Sequence, residues 1–254
     1  MGGVDVTTQP FDESSTLFTG GSGLLGGAFR RLLPSAMYPT SSEFDVRDRA
    51  AIERWATGRN VTTVIHAAAF TSPPKIDQDP QRAIETNIIG TANIALVCLA
   101  HGWRMVYIST DYVFRGDRGS YRESDPVFPV NRYAWSKLGG ECATHMVPDS
   151  LILRTSFGPD VFPYPKAFTD QWTSRQSVSD TARQMIALIR TGATGVVHVG
   201  GPRRTVMEYA LSLDPSKTIE PLSVKDVTFN VPIDTSLDTT RYRELVGSKE
   251  GSNT

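Results

Sequence analysis

The chain has 254 residues, of which 39% are hydrophobic, a formal net charge of −1 and two cysteines. That length suits one domain, or one large α/β unit with a small appendage, and the apolar share is enough for a sizeable core. Near-neutral charge without a Lys/Arg-rich run argues against nucleic acid or an acidic membrane surface as partner, and no stretch reaches the ~18 consecutive apolar residues of a membrane span.

Residues 1–15 are polar and irregular and read as a loose leader, without the basic-then-apolar order of a secretion signal. Leu17-Phe18-Thr19 is a short strand entering a glycine-dense turn. A helix follows, with Leu24, Leu25, Phe29, Leu32 and Leu33 at roughly helical spacing. Gly20, Gly23 and Gly26 have the spacing G-x-x-G-x-x-G. Glycine permits positive φ and close approach of a diphosphate, and free N–H groups at a helix start attract anionic oxygens. The third glycine lets helix lie close to strand. Taken alone, the same turn also suits an ordinary strand-to-helix junction.

Ala36-Met37-Tyr38 is a short second strand, cut off by Pro39. A helix is expected from Asp48, its cap, to Gly58, with Ile52 and Trp55 on its apolar face. The β-branched run Val61–His66 reads as a buried strand. Ala67-Ala68-Ala69 continues it with almost no side-chain volume, so something flat can lie against the backbone. Pro73-Pro74 marks a loop. A long helix then runs from Pro80 to Ala100, with Ala83, Ile84, Ile88, Ala92, Ala95, Leu96 and Leu99 on its inner face and His101-Gly102 closing it. Arg104–Ser109 is a strand, Asn131–Met146 a helix and Leu151–Arg154 a strand. Cys98 and Cys142 sit in separate helical segments, where each reads as a small buried hydrophobe, and a reducing cytoplasm fits them.

Strand and helix alternate throughout, which argues for a doubly wound parallel sheet, a Rossmann-type α/β fold. Its dinucleotide-binding part spans 16–156. Beyond it, 157–247 forms a small C-terminal substrate-binding portion interleaved with the same sheet. There Phe157–Arg175 is a Pro/Phe/Tyr-rich excursion, Ser179–Arg190 a helix, Gly195–Val199 a strand, Thr205–Leu213 a short helix and Leu237–Val246 a last one. Residues 248–254 are a polar tail.

Two stretches carry chemistry. Tyr133 and Lys137, at i and i+4, share one helix face. A phenol with its usual pKa of about 10 is a poor base, and a neighbouring ammonium favours the phenolate. Such a pair can give a proton to a substrate oxygen or take one from it. Ser109-Thr110-Asp111-Tyr112 lies just past a strand's C-terminal end, the edge where doubly wound sheets bind ligands. The Thr110 hydroxyl could meet the same oxygen as Tyr133. His66, His101, His145 and His198 lack metal-ligand spacing and read as core or loop residues. No metal site is expected.

With these motifs the chain resembles the extended short-chain dehydrogenase/reductases, and within them the dTDP-4-dehydrorhamnose reductases. The likeness spans Leu17 to Gly247 and rests on TGGSGLLG, DVRD at Asp45–Asp48, HAAAFT at His66–Thr71, STDYVF and NRYAWSK, with FTDQWTSR and PIDTSLDTTRYREL as later blocks. It implies a catalytic set of Thr110, Tyr133 and Lys137. It implies Gly20, Ser22, Gly23 and Leu24 on the diphosphate, Asp45 and Val46 beside the adenine, and Ala67, Ala68 and Ala69 along the adenosine and ribose, with Lys137 and Tyr133 near the nicotinamide. The implied reaction is hydride transfer from NADPH or NADH to C4 of a nucleotide-linked 4-keto-6-deoxy sugar, protonated by Tyr133. Thr71, Asp111 and Tyr112 are candidates for sugar contacts, while Trp172 and Arg175 could clamp a base or diphosphate.

Tyr38–Ser42 offers hydroxyls rather than a terminal acid, and Arg30 and Arg31 lie near in sequence, which leans toward NADP. The likeness fits a cytoplasmic enzyme and leaves room for a homodimer. Pro73-Pro74, a short segment before Phe168 and Val231 depart from the reductases on the substrate side. Two alternatives remain: a nucleotide-sugar epimerase or dehydratase on the same scaffold, and a non-catalytic NADP-binding regulatory subunit. Tyr112, standing where dehydratases carry a second acid, counts against elimination, and the intact Thr110, Tyr133 and Lys137 favour an enzyme.

Overall fold

Along four apolar runs, alternate side chains pack into two different cores: Phe18, Ile65, Val106 and Leu153 into one, and Leu17, Val64, Met105 and Ile152 into the other. This period of two is the mark of strands buried on both faces. In this computed structural model, which describes residues 11–228 and 230–250, the runs form β1 (Thr16–Thr19), β2 (Thr63–His66), β3 (Arg104–Ile108) and β4 (Leu151–Thr155). A fifth strand, β5 (Gly195–Val199), adds beside β4. The sheet is parallel throughout, in the order β1-β2-β3-β4-β5. The expected doubly wound α/β architecture is therefore present.

On the Phe18 side lie α1 (Leu24–Leu32) and α6 (Val178–Arg190), contributing Phe29, Met185 and Ile189 to that core. On the Leu17 side lies α2 (Arg49–Ala56), capped by Asp48 as expected, its carboxylate accepting from the Ala51 N–H at 3.1 Å. The short α3 (Pro73–Gln78) follows β2. Its two prolines occupy the first helical turn, where a missing N–H costs nothing, so they open a helix rather than mark a loop.

The long helix α4 runs from Pro80 to His101, with a π-helical turn at Ile84–Ile89. Gly102, at φ 67°, ends it in the left-handed region. The inner face differs from expectation. Ile84, Leu96 and Leu99 are exposed, while Asn87, Gly90, Thr91, Ile94 and Cys98 point inward. The helix is apolar on both sides, so periodicity could not choose. Hydrogen bonds decide instead: Asn87 joins Phe70 and Ser136, and Thr91 joins His66. By length and composition this helix could cross a membrane, but Ile94, Val97 and Cys98 pack against the sheet and make it a layer of the fold.

α5 (Arg132–Thr144) precedes β4, with α7 (Val206–Leu213) and α8 (Thr240–Glu250) further on. Other departures are local. Ala36–Tyr38 reduces to one bridge, in which Met37 exchanges 2.8 Å bonds with Phe18 and Thr16; Pro39, with no N–H, cannot extend it. Cys98 is buried but Cys142 is exposed, because it faces outward from α5. The end of the polar leader is docked: Phe11 packs on the core, and Ser15 bonds Thr62 at 2.7 Å. Residues 1–10 and 251–254 of the leader and tail lie outside the described residues, while 248–250 continue α8.

The chain after β4 builds short strand pairs, including Trp172–Thr173 against Arg204–Thr205, around a small core of Phe162, Ala167, Val206, Tyr209 and Ala210. The segment near Asp234 bridges back to Asp117, Tyr121 and Trp172. That return brings Thr235 under the carboxyl ends of the main sheet.

Candidate active site

A cavity of about 590 Å³ opens beyond the carboxyl ends of the strands, lined among others by Gly20, Ser22, Gly23, Leu24, Ala67, Ala68, Ala69, Thr71, Asp111, Tyr112, Tyr133 and Arg175. Its floor is the glycine turn. Gly20 sits at φ 79°, and a Cβ there would lie 2.7–2.9 Å from the Ala67–Ala68 backbone. A Cβ on Gly26 would meet Gly21 at 2.6 Å, whereas Gly23 faces open space apart from the Gly20 carbonyl. Gly23 also begins α1 without a side-chain cap, so the first N–H groups of that helix point free toward the cavity. A backbone cradle at a helix start, closed to side chains and open to a ligand, fits a dinucleotide diphosphate.

Asn87 holds the opposite wall. Its amide accepts from the Phe70 N–H at 2.7 Å and donates to the Phe70 carbonyl at 2.9 Å and to Ser136 Oγ at 2.8 Å. This pins the alanine stretch to α5 through the π-helical turn. Beneath, His66 is fully enclosed between Thr19 at 2.7 Å and Thr91 at 3.0 Å, and burial pushes its pKa down to about 3. It is a neutral structural residue, as its sequence context suggested.

Thr110 lies two residues past the end of β3, and Tyr133 lies in the first turn of α5, capped by Asn131. Thr110 and Tyr133 both line the cavity, and the Thr110 hydroxyl acts on the Tyr133 phenol. Burial raises the phenol well above its ordinary pKa; the Thr110 hydroxyl opposes this, and the nearby Asp111 carboxylate adds to it. The phenol therefore stays protonated, the state a proton donor requires.

The expected lowering of that phenol by Lys137 is not what the structure shows. The Lys137 ammonium sits 4.1 Å from the Tyr107 ring centre and does not line the cavity. Burial lowers the Lys137 pKa to about 7, with Glu141 opposing. A cation half discharged near neutrality and directed at another ring cannot dominate the Tyr133 proton.

Asp111 is buried, accepting from Thr235 Oγ1 at 2.5 Å and Thr110 Oγ1 at 3.2 Å, and burial raises its pKa to about 6. Tyr112 sets its ring edge-on to Tyr133, and its hydroxyl accepts from Gln171 Nε2 at 3.1 Å. Arg175 reaches Ser156 Oγ at 3.5 Å. Behind this wall Glu141 pairs with Arg154 at 2.7 Å and accepts from Ser109 at 2.5 Å, a buried network that fixes the end of β3 against α5.

Three further expected residues are not among those that line the cavity. The Asp45 carboxylate is gripped by Arg47 at 2.7 Å, Val46 packs against Gly90, and the Trp172 ring is covered by Arg203 at 3.9 Å, which in turn pairs with Asp234. Conversely, Thr86, Thr155, Ser156 and Phe157 line the cavity without having been singled out. Thr155 ends β4 and Ser156 follows it, so the strand-end rule applied to every strand would have found them.

The family described as RmlD substrate binding domain matches residues 14–162 of this chain, more than half of it. The chain belongs to this family. It is similar to the dTDP-4-keto-6-deoxy-D-glucose reductase of Streptomyces niveus, 31% identical over 72% of this chain and 71% of that protein. Among solved structures it resembles a hypothetical dTDP-4-dehydrorhamnose reductase from Sulfolobus tokodaii, at 29% identity and TM-score 0.80, covering 90% of this chain and 93% of that one. It also resembles the dTDP-4-dehydrorhamnose reductase of Bacillus anthracis in complex with NADP, at 25% identity and TM-score 0.80, covering 90% of each chain.

Proposed function

We propose that this family member reduces a nucleotide-linked 4-keto-6-deoxy sugar at C4, using NADPH in preference to NADH. The observation that carries the reading is the pairing of Thr110 with a protonated Tyr133 on the wall of one cavity, floored by a diphosphate-shaped glycine cradle. Gly20, Ser22, Gly23 and Leu24 would hold the diphosphate, and Ala67–Ala69 the adenosine and ribose side. When bound, the reduced dinucleotide supplies hydride to the ketone carbon. Thr110 donates to the ketone oxygen as negative charge grows there, and Tyr133 gives that oxygen its proton. Burial of the pair strengthens both interactions by excluding water. Thr71, Asp111 and Tyr112 face the sugar, and Arg175 suits the sugar-nucleotide diphosphate. The portion 157–247, which supplies Arg175 and Thr235, forms the substrate side.

A homodimer is part of the proposal: α4 exposes Leu96 and Leu99, and α5 exposes Trp135, at 43–54% of their surfaces. Two free thiols suit a cytoplasmic setting.

The test is absorbance of NADPH at its reduced-nicotinamide band during incubation with a panel of nucleotide-linked 4-ketosugars. Oxidation with the 4-keto-6-deoxy members is expected. Failure with every ketosugar, or protein purified with stoichiometric NAD that does not exchange, would replace this reading with a regulatory or an epimerase role.

A further inference from the structure

At the outer edge of the glycine turn, away from the reacting groups, Arg30 on α1 lies flat on the ring of Tyr38, its guanidinium carbon 4.4 Å from the ring centre. Its Nη2 comes within 3.3 Å of where a side chain on Gly21 would begin, and the Tyr38 ring lies within 3.2 Å of the same point. Gly21 stands between Gly20 and Ser22, both of which line the cavity. Tyr38 is itself anchored from below: its hydroxyl donates to the Leu33 carbonyl at 2.9 Å and its ring packs on Phe18. Arg30 is therefore a cation on a fixed platform at the rim of the cradle. Among the described residues it forms no ion pair.

The nearby charges leave this guanidinium free. The carboxylate that acts on the Tyr38 hydroxyl, Glu13, is held by the Ser35 N–H at 2.6 Å. Glu43, the first acid after the Met37 bridge, is occupied by the Thr40 N–H and hydroxyl, both at 2.8 Å. In a Rossmann-type turn the adenosine ribose lies at this edge. A free acid there would accept from its 2′-hydroxyl, while a free arginine matches a phosphate ester on that oxygen. Here the acid is engaged and the arginine is available. Arg31, one residue on, acts instead on Asp160.

We propose that Arg30, stacked on Tyr38, is the residue that grips the 2′-phosphate of NADPH and sets the preference over NADH. The proposal rests on dinucleotide binding in the glycine cradle. It concerns one phosphate, so it can be tested apart from catalysis.

Calorimetric titration of the full chain with 2′,5′-ADP and with 5′-ADP reads that contact directly. The unmodified chain should bind 2′,5′-ADP more tightly, by about ten-fold to a hundred-fold, the range of a charge-assisted hydrogen bond. Arg30→Ala should abolish that difference with 5′-ADP binding unchanged, Arg30→Glu should reverse it, and Arg31→Ala should retain it. Because Arg30 is exposed, these variants should fold, which circular dichroism would confirm. Equal binding of the two probes by the unmodified chain, or a preference surviving in Arg30→Ala, overturns the assignment while leaving the cradle intact. Absence of binding by any adenine nucleotide or dinucleotide removes the underlying reading as well.

Discussion

Replacing Asp111 by asparagine isolates what burial does to this site. Asp111 is 2% exposed and receives hydrogen bonds from Thr235 and Thr110. Those bonds favour the carboxylate, yet burial outweighs them and raises the pKa from 3.8 to about 6. A difference of about two pH units between unfolded and folded chain corresponds to roughly 3 kcal/mol. The folded-state value is the higher one. The protonated carboxyl therefore stabilises the fold at acid pH, fully below its unfolded value of 3.8, and the contribution is lost as pH rises through about 6. Asparagine is neutral throughout and can still accept from Thr235. The stability of Asp111→Asn relative to the unmodified chain should thus rise by roughly 3 kcal/mol between about pH 4 and pH 7. Urea unfolding followed by circular dichroism at about one-unit pH intervals across that range measures it. A difference that stays flat with pH would refute the reasoning, because it would mean that the two hydroxyls, not burial, set the state of the carboxyl.

Tyr133→Phe should lower kcat by about 10²- to 10⁴-fold, the usual worth of a general acid, while the dinucleotide Kd from fluorescence titration stays unchanged. Gly20→Ala should destabilise the fold by at least about 1–2 kcal/mol from the positive φ alone, more from the contact with the Ala67–Ala68 backbone, and calorimetric titration should show dinucleotide binding lost. Arg154→Met leaves the buried Glu141 without its ion-pair partner, and should cost about 3–5 kcal/mol in urea unfolding. The double variant with Glu141→Leu should recover most of that, because no unpaired charge then remains.

The sequence by itself determined the parts whose causes are local. The G-x-x-G-x-x-G turn forces strand, cradle and helix within a dozen residues, since only glycine tolerates the φ of Gly20 and the approach of Ala67–Ala68. Asp48 and Asn131 cap their helices through side chains three residues from their partners. The alternation of Leu17 with Phe18 and of Met105 with Val106 states that both faces of the sheet are covered. The candidate pair Thr110 and Tyr133 was legible because each occupies a recognisable place, one just past a strand end and the other in a helix's first turn.

Tertiary structure alone decided what depends on partners distant in the chain. Which side of α4 faces inward followed from Asn87 and Thr91 finding Phe70, Ser136 and His66, and no periodicity encodes those pairings. The raised pKa values of Tyr133 and Asp111 followed from burial, which a spacing of i and i+4 to Lys137 cannot report. Trp172 left the candidate site because Arg203, far along the chain, covers its ring. Hydrogen bonds and turns within a few residues are fixed before the chain collapses. Desolvation and long-range contacts exist only once it has, so the electrostatics of the site belong to the folded molecule.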